Sequence, residues 1–350
     1  MKRANRPVIL QAGFRTSGTW FWSRFRCNPN VVAFCEPLNE ALQDLTIDSN
    51  RRLTSDLSDL NHPHLEAPYF QEFLGLLKED GVGIKGYSTE FGVASYFRPI
   101  DDLSQGLRDY WQGLFDYAGS LGRQPVLKCN RAQGHAGWLK AKFPNAIQIL
   151  LRRHPLAQFW SSYQQAVERR NYTFLMIPIW ALTTSDSVSI QNLLDHVKIP
   201  RLLQGKDGKS LADCFVEIAR GLSEKDLFGI FLAFYTLSLA KSEPFADLVI
   251  DSEQLAKDEN YRSVITKKIR KLTGLQVDLS QCNEDTHYAP FFKSDKGREL
   301  LEHGKRVLET LNAEFPASES YVFSRLTVDG NKRWEAERKP PFSIDWLFRP

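Results

Sequence analysis

A glycine-rich turn near the N-terminus, residues 13–19 with the sequence GFRTSGT, separates a short apolar run from a stretch typical of a helix. The apolar run is residues 8–10, and the helical stretch is residues 20–25. A turn between a strand and a helix gathers backbone N–H groups at the positive end of the helix dipole, and such a place binds anions. We therefore predict phosphate binding at this turn.

The turn has the glycine spacing of a nucleotide-triphosphate loop but lacks its lysine. Gly13 and Gly18 follow the GxxxxG pattern, and Thr19 stands at the hydroxyl position. No lysine separates Gly18 from Thr19. The pattern thus favours an anion site that does not bind ATP with magnesium. The alternative is an ordinary tight turn without a ligand.

Composition indicates a globular protein with room for one large domain or two modest ones, since 42% of the 350 residues are apolar and 25% are charged. A net charge of +3 gives no general affinity for nucleic acid. The five cysteines are Cys27, Cys35, Cys129, Cys214 and Cys282. They form no CxxC pair, which favours reduced thiols. With no signal-peptide core and no apolar stretch of roughly 20 residues, we expect a cytoplasmic protein without a membrane span.

Six short apolar runs end abruptly in polar residues, and stretches with helical spacing separate them. The runs begin at Val8, Val31, Gly83, Pro125, Ile147 and Leu248. Such runs predict strands buried on both faces of a sheet. The fold class expected is α/β, with a P-loop-type, mostly parallel central sheet flanked by helices and carrying helical insertions. Ligands of such sheets bind beyond the carboxyl ends of the strands.

We predict one domain over residues 1–330, with a helical or insert region at about 171–245 and an arm or tail at 331–350. Helices are expected at residues 155–170, 211–241 and 295–312. Residues 183–209 look like a mobile or inserted segment, and residues 55–68 look like a loop.

A second anion site is suggested where the run at residues 147–151 ends. Arg152 and Arg153 follow it, and Ser161 lies in the next predicted helix. An arginine fork matches phosphate, and a serine hydroxyl adds a donor. Taken alone, a surface arginine pair would be the simpler interpretation. Two separate phosphate sites together suggest a nucleotide with phosphates at both ends.

In scattered motifs between about residues 8 and 275, the sequence resembles the sulfotransferases that use 3′-phosphoadenosine 5′-phosphosulfate (PAPS). Arg15, Asn28-Pro29 and the F-x-E-P sequence at residues 34–37 have the spacing of the carbohydrate sulfotransferases. The stretch from Arg153 to Ser161 is similar to the family's R-D-P-R-A…S motif. A degraded form of its Y-E-D-L element stands at residues 250–255.

The resemblance implies that PAPS is the donor, that adenosine 3′,5′-bisphosphate is the product and that no metal is required. The acceptor would be a hydroxyl, or an amine, on a carbohydrate, glycolipid or small metabolite. It implies donor-binding residues Arg15, Thr16, Ser17, Gly18, Thr19, Trp20, Arg153 and Ser161. Arg15 would be the basic catalytic residue of the loop; if the loops are aligned by their glycines, Thr16 takes that position instead.

Glu36 is the residue implied as the base, because it ends the second strand near the loop. A helix N-cap or a structural ion pair is the alternative role for this carboxylate, and the alternative bases are His62, His64 and His135. Lys128, Asn130 and Arg131 end another strand, where they would contact the nucleotide or an anionic acceptor, or would simply be solvated; Lys85 is a weaker candidate of the same kind. Five aromatic residues are candidates for lining an acceptor cleft, with packing in the core as the alternative: Tyr69, Phe70, Trp111, Trp138 and Trp180.

Two other functions stay open from the sequence. In an ATP-dependent kinase or phosphotransferase, Asp251 at the end of an apolar strand would bind magnesium, although the missing loop lysine argues against it. A non-catalytic nucleotide-binding protein of the same fold is the other alternative. The partners expected of a sulfotransferase are a small-molecule nucleotide donor and a hydroxyl acceptor.

Overall fold

The computed structural model describes residues 6–56, 63, 65–200, 210–282 and 288–326. The chain divides into two compact units, each formed from two stretches of sequence. Unit 1 comprises residues 1–153 and 245–284, and unit 2 comprises residues 154–244 and 285–350. The predicted tail at residues 331–350 and the histidines His62 and His64 lie outside the described residues. One domain over residues 1–330 stays a prediction.

Unit 1 is built on a parallel sheet of five strands in the order β2-β3-β1-β4-β5. The strands are β1 (Val8–Ala12), β2 (Val31–Cys35), β3 (Gln124–Cys129), β4 (Ile147–Arg152) and β5 (Leu248–Asp251). Nearly every strand residue is buried, as expected for strands covered on both faces. The predicted α/β fold class, with helices flanking the sheet, is confirmed.

The run at Gly83 is not a strand of this sheet, so that prediction is wrong. Ile84 makes only an isolated antiparallel bridge with Leu77. Gly81, Gly83 and Gly86 all have positive φ angles between 74° and 76°. A chain that turns at every second or third residue cannot extend into a ladder.

The helices of unit 1 are α1 (Gly18–Arg26), α2 (Ile47–Asp56), α3 (Gln105–Ser120), α4 (Ala136–Lys142), α10 (Ser252–Lys257) and α11 (Glu259–Thr273). Buried faces of α1 and α3 contribute Phe21, Trp22 and Trp111 to the same core as the strands. Helix α2 extends to residue 56, so the first two residues of the loop predicted over residues 55–68 are helical instead; residues 57–62 and 64 lie outside the described residues. The central strand β1 leads directly into the glycine turn, which α1 follows.

Unit 2 is helical. Its helices are α5 (Pro155–Arg169), α6 (Thr173–Thr183), α7 (Val188–His196), α8 (Leu211–Gly221), α9 (Glu224–Ser242), α12 (Ala289–Lys293), α13 (Asp295–Leu311) and α14 (Pro316–Arg325). The helices predicted at residues 155–170 and 295–312 are confirmed. The stretch 211–241 is two helices, because Ser223 caps the start of α9 through its hydroxyl. Helix α7 lies within the segment expected to be an insert.

All five cysteines are free, as expected. Within the part of the chain that the structure describes, no helix is both long and apolar enough to cross a membrane.

His135 is a fully buried residue of unit 1 whose Nε2 lies 2.7 Å from the carbonyl oxygen of Ser95. Burial, with a smaller effect of the Arg98 guanidinium, lowers the pKa of His135 from 6.5 to about 4. Between these two pH values the unfolded chain binds a proton that the native protein does not. The free energy of unfolding therefore falls as the pH drops through this window.

We expect His135→Gln to remove this part of the pH dependence. On going from pH 7 to pH 4.5, the wild type should lose roughly 2–3 kcal/mol more stability than the variant. Urea unfolding at the two pH values measures the difference, with the exposed His196→Gln as the control. Parallel losses in the wild type and His135→Gln would rule out His135 as the cause.

Candidate anion and catalytic site

The glycine turn after β1 has the backbone geometry of an anion site. Arg15 and Ser17 have φ angles of 63° and 62°, so left-handed residues alternate with ordinary ones. This alternation turns successive N–H groups toward one side, and Ser17 is also the N-cap of α1. The hydroxyl of Thr16 is buried and donates to the carbonyl oxygen of Gly13 at 2.7 Å, which closes the turn. Arg15 is half-buried, so its side chain is the more accessible of the two candidates for the basic position.

Gly18 must be glycine because the turn is tightly packed there. A Cβ atom at this position would lie 2.7 Å from Cβ of Ala12 and 3.1 Å from Cε of Lys128. The aliphatic stem of Lys128, on the neighbouring strand β3, therefore lies against the turn. From the sequence, Lys128 is expected to contact the nucleotide or an anionic acceptor, or to be solvated at a strand end; because the side chain is buried, the solvated alternative is wrong for Lys128.

Glu36 forms a buried ion pair with Lys128. Its φ of 52° turns the chain at the end of β2, and its N–H donates to the carbonyl oxygen of Lys128 at 2.6 Å. The ammonium of Lys128 contacts Oε1, while the N–H of Asn130 and Nη1 of Arg131 donate to Oε2 at 3.1 and 3.3 Å. Both side chains of the pair are at most 3% exposed. Each carboxylate oxygen of Glu36 thus has a cationic partner.

Arg131 joins this pair to a second carboxylate, which the sequence motifs did not reveal. Its Nη2 donates to Oε2 of Glu40 at 2.7 Å, and its guanidinium lies over the ring of Phe14 in the turn at 5.6 Å. Oε1 of Glu40 accepts the N–H of Val93 at 2.9 Å. A Cβ on Gly92 would overlap the carboxylate of Glu40, which would have to move away from its present position. In the sequence, the only indication that Glu40 belongs to this cluster is its position four residues after Glu36.

The four charges of this cluster sum to zero: Lys128 and Arg131 against Glu36 and Glu40. Burial acts to lower the pKa of Lys128, but the groups around it, with Glu36 first among them, together raise that pKa above its ordinary value. For Arg131 burial is likewise opposed, by Glu40 and Glu36, and its pKa is also raised. Both cations therefore stay charged throughout the physiological pH range.

Arg153 lies at the other side of the turn, just beyond β4. Its Nη1 donates to the carbonyl oxygen of Arg15 at 2.8 Å, and the residue is 8% exposed. The structure thus brings Arg153 to the turn, as the parallel pairing of β1 with β4 requires. Ser161, predicted to act with it, belongs to unit 2 and lies buried in the second turn of α5. Trp20 lies in the first turn of α1, with the guanidinium of Arg24 5.6 Å from its ring.

Thr19 has a hydrogen bond to a tyrosine of the core. The hydroxyl of Tyr69 bonds to the hydroxyl of Thr19 and to the thiol of Cys35, the last residue of β2. Burial raises the pKa of Cys35 to about 12, so this thiol is inert. Tyr69 is 5% exposed, and its contacts are those of a residue that ties α1 to β2.

The remaining candidates lie apart from the turn or have structural contacts. Lys85 is exposed, and Trp111 and Trp138 are fully buried in the core. Trp180 stacks on Phe215 in unit 2, with ring centroids 5.5 Å apart. Among the described residues, no group of three or more histidine, cysteine, aspartate or glutamate side chains is placed to hold a metal ion.

Asp251, the candidate magnesium ligand of the ATP alternative, is the N-cap of α10. Its Oδ1 accepts the N–H groups of Glu253 and Gln254 at 3.1 and 3.0 Å. Its strand β5 is the edge strand beside β4 and does not pair with β1, which carries the turn. The sheet thus separates this carboxylate from the turn by one strand.

Comparison with known proteins gives one solved structure, the crystal structure of a sulfotransferase from Alicyclobacillus acidocaldarius. That protein is 16% identical to this chain, and the match covers 89% of this chain and 96% of the other with a TM-score of 0.35. No protein-family model and no curated protein matches the chain.

Proposed function

We propose that the protein transfers a sulfonate group from PAPS to a hydroxyl group of a small acceptor. The observation that carries the proposal is the position of Lys128. The turn lacks its own lysine, and a lysine from the neighbouring strand lies against the turn instead, paired with the carboxylate of Glu36. A cation for the donor and a carboxylate for the acceptor's proton are thus side by side.

The N–H groups of the turn and the side chain of Arg15 would hold the 5′-phosphosulfate of the donor. Arg153 would bind the 3′-phosphate, because an arginine fork suits a phosphate. The two phosphates of PAPS account for cations on both sides of the turn. In the alternative Mg²⁺–ATP site, the magnesium ligand predicted from the sequence is Asp251, and this carboxylate caps a helix one strand away from the turn.

In the reaction, the acceptor oxygen attacks the sulfur while the bond from sulfur to the 5′-phosphate oxygen breaks. The electron pair of that bond passes to the phosphate, and the acceptor's proton passes to the Glu36 carboxylate. The products are a sulfate ester and adenosine 3′,5′-bisphosphate. Positioning and the stabilisation of the leaving phosphate by Lys128, Arg15 and the turn supply most of the catalysis, as in phosphoryl transfer.

Incubation with PAPS and a panel of acceptors tests the activity. The expected result is release of adenosine 3′,5′-bisphosphate that depends on an acceptor, with the sulfonate recovered on that acceptor by mass spectrometry. The panel contains sugars, glycolipids and small hydroxylated metabolites. Phosphorylation of the same panel from Mg²⁺–ATP, without sulfonation from PAPS, would show a kinase instead.

Arg153→Ala should reveal which phosphate this arginine binds. We expect the affinity for adenosine 3′,5′-bisphosphate to fall by about 10-fold to 100-fold, the value of one charged hydrogen-bonded contact. The affinity for adenosine 5′-phosphate should change much less. Calorimetry with both nucleotides measures this, and the exposed Arg123→Ala, which precedes β3 at the opposite end of the sheet, is the control. Equal losses for both nucleotides would mean that Arg153 only supports the backbone of Arg15.

A further inference from the structure

We infer that Lys128 is a donor-operated switch, which neutralises Glu36 until the anion of the donor reaches the turn and then moves onto that anion. The inference rests on the proposed function and adds to it a control over when Glu36 acts as a base. Lys128, Glu36 and the glycine turn all belong to unit 1.

The position of the lysine gives the first argument. Its Cε lies beside Gly18, at the start of α1, while its Nζ contacts Oε1 of Glu36. The stem of the side chain therefore already lies against the turn, while its ammonium is held by Glu36. A change of the terminal rotamer would bring the ammonium to the turn, since a lysine ammonium is a point charge on a flexible stem.

The energetics give the second argument. A buried ammonium that leaves its carboxylate without a new partner is strongly destabilised. In the ligand-free site Glu36 supplies that partner, so Lys128 stays on Glu36. A phosphate or sulfonate oxygen in the turn offers Lys128 a second anion only when the donor is bound, and Arg131 and the N–H of Asn130 then remain as the partners of Glu36.

The remaining contacts of Glu36 give the third argument. When Lys128 leaves, Oε2 still accepts from the N–H of Asn130 and from Arg131, which Glu40 holds in place. The carboxylate thus keeps its position while Oε1 loses its cation. A carboxylate oxygen with fewer cationic neighbours accepts a proton more readily. Donor binding therefore prepares the base.

Glu36→Gln and Glu40→Gln form a matched pair that tests the switch. Each removes one negative charge from the same cluster, but only Glu36→Gln removes the partner of Lys128. Relative to the wild type, we expect Glu36→Gln to bind adenosine 3′,5′-bisphosphate about 10-fold to 100-fold more tightly, because Lys128 no longer has to leave a carboxylate. Glu40→Gln should stay within about 3-fold of the wild type. Calorimetry measures all three affinities.

Equal affinities of the two variants for the bisphosphate would overturn the switch and leave the proposed function intact. Failure of the wild type and both variants to bind the bisphosphate would overturn both. If Glu36→Gln does not fold, a crystal structure of the wild type with the bisphosphate decides. Contact of the Lys128 ammonium with the 5′-phosphate supports the switch, and an ammonium still on Oε1 of Glu36 overturns it.

Discussion

Lys128→Met is expected to lower the free energy of unfolding by about 3–5 kcal/mol, because it leaves the carboxylate of Glu36 buried without its main cation. Methionine keeps the length and the apolar stem of lysine, so the packing against Gly18 is retained. The main contribution to the lost stability is then the desolvation of the unpaired Glu36 carboxylate. Urea unfolding monitored by tryptophan fluorescence measures the change.

Two comparisons make this result specific to the buried pair. In the double variant Lys128→Met/Glu36→Gln, no unpaired charge is left, and more than half of the lost stability should return. The partly exposed pair of Lys140 with Asp247, at 2.9 Å, offers a surface control. Lys140→Met should cost at most about 1 kcal/mol. Similar losses for Lys128→Met and Lys140→Met would show that burial of the Glu36 pair is energetically unimportant.

Glu36→Gln is expected to lower kcat for sulfonate transfer by about 10²-fold to 10⁴-fold, the usual contribution of a positioned general base. Glutamine keeps the shape of the side chain but cannot take the proton of the acceptor. Because the same change frees Lys128 for the donor, KM for PAPS should not rise. Steady-state kinetics at saturating acceptor separates the two constants.

Glu40→Gln serves as the control for this prediction, since Glu40 contacts Arg131 and the N–H of Val93 but not Lys128. Its kcat should fall much less than that of Glu36→Gln. A Glu36→Gln enzyme that keeps wild-type turnover would exclude Glu36 as the base. A rise in KM with unchanged kcat would assign Glu36 to binding alone.

The sheet could be predicted from the sequence because strands buried on both faces are continuous apolar runs. Five of the six runs are strands, and the exception at Gly83 is a run of two residues between glycines with positive φ. The helix break at Leu222 and Ser223 was missed, because the apolar pattern continues on both sides of it. Ser223, a residue type that often caps helices, is the sequence signal that marks the start of the second helix.

The site was predicted in part, because the turn, Glu36 and Arg153 each stand beside a recognisable local motif. The pairing of Glu36 with Lys128 could not be read in this way, since the two residues are 92 positions apart in the chain. They meet because β2 pairs with β3 in the register that aligns Cys35 with Lys128. Strand order and register are set by the whole fold, so Glu40 and Tyr69 also gained their roles only from the structure.

Calorimetric titration of the wild type with adenosine 3′,5′-bisphosphate and, separately, with Mg²⁺–ATP tests the central claim most directly. A turn without its own lysine, with Lys128 on one side and Arg153 on the other, should bind the bisphosphate with a dissociation constant at least about 100-fold lower than that of Mg²⁺–ATP, the worth of two charged contacts. A preference for Mg²⁺–ATP, or no binding of the bisphosphate, would contradict the account.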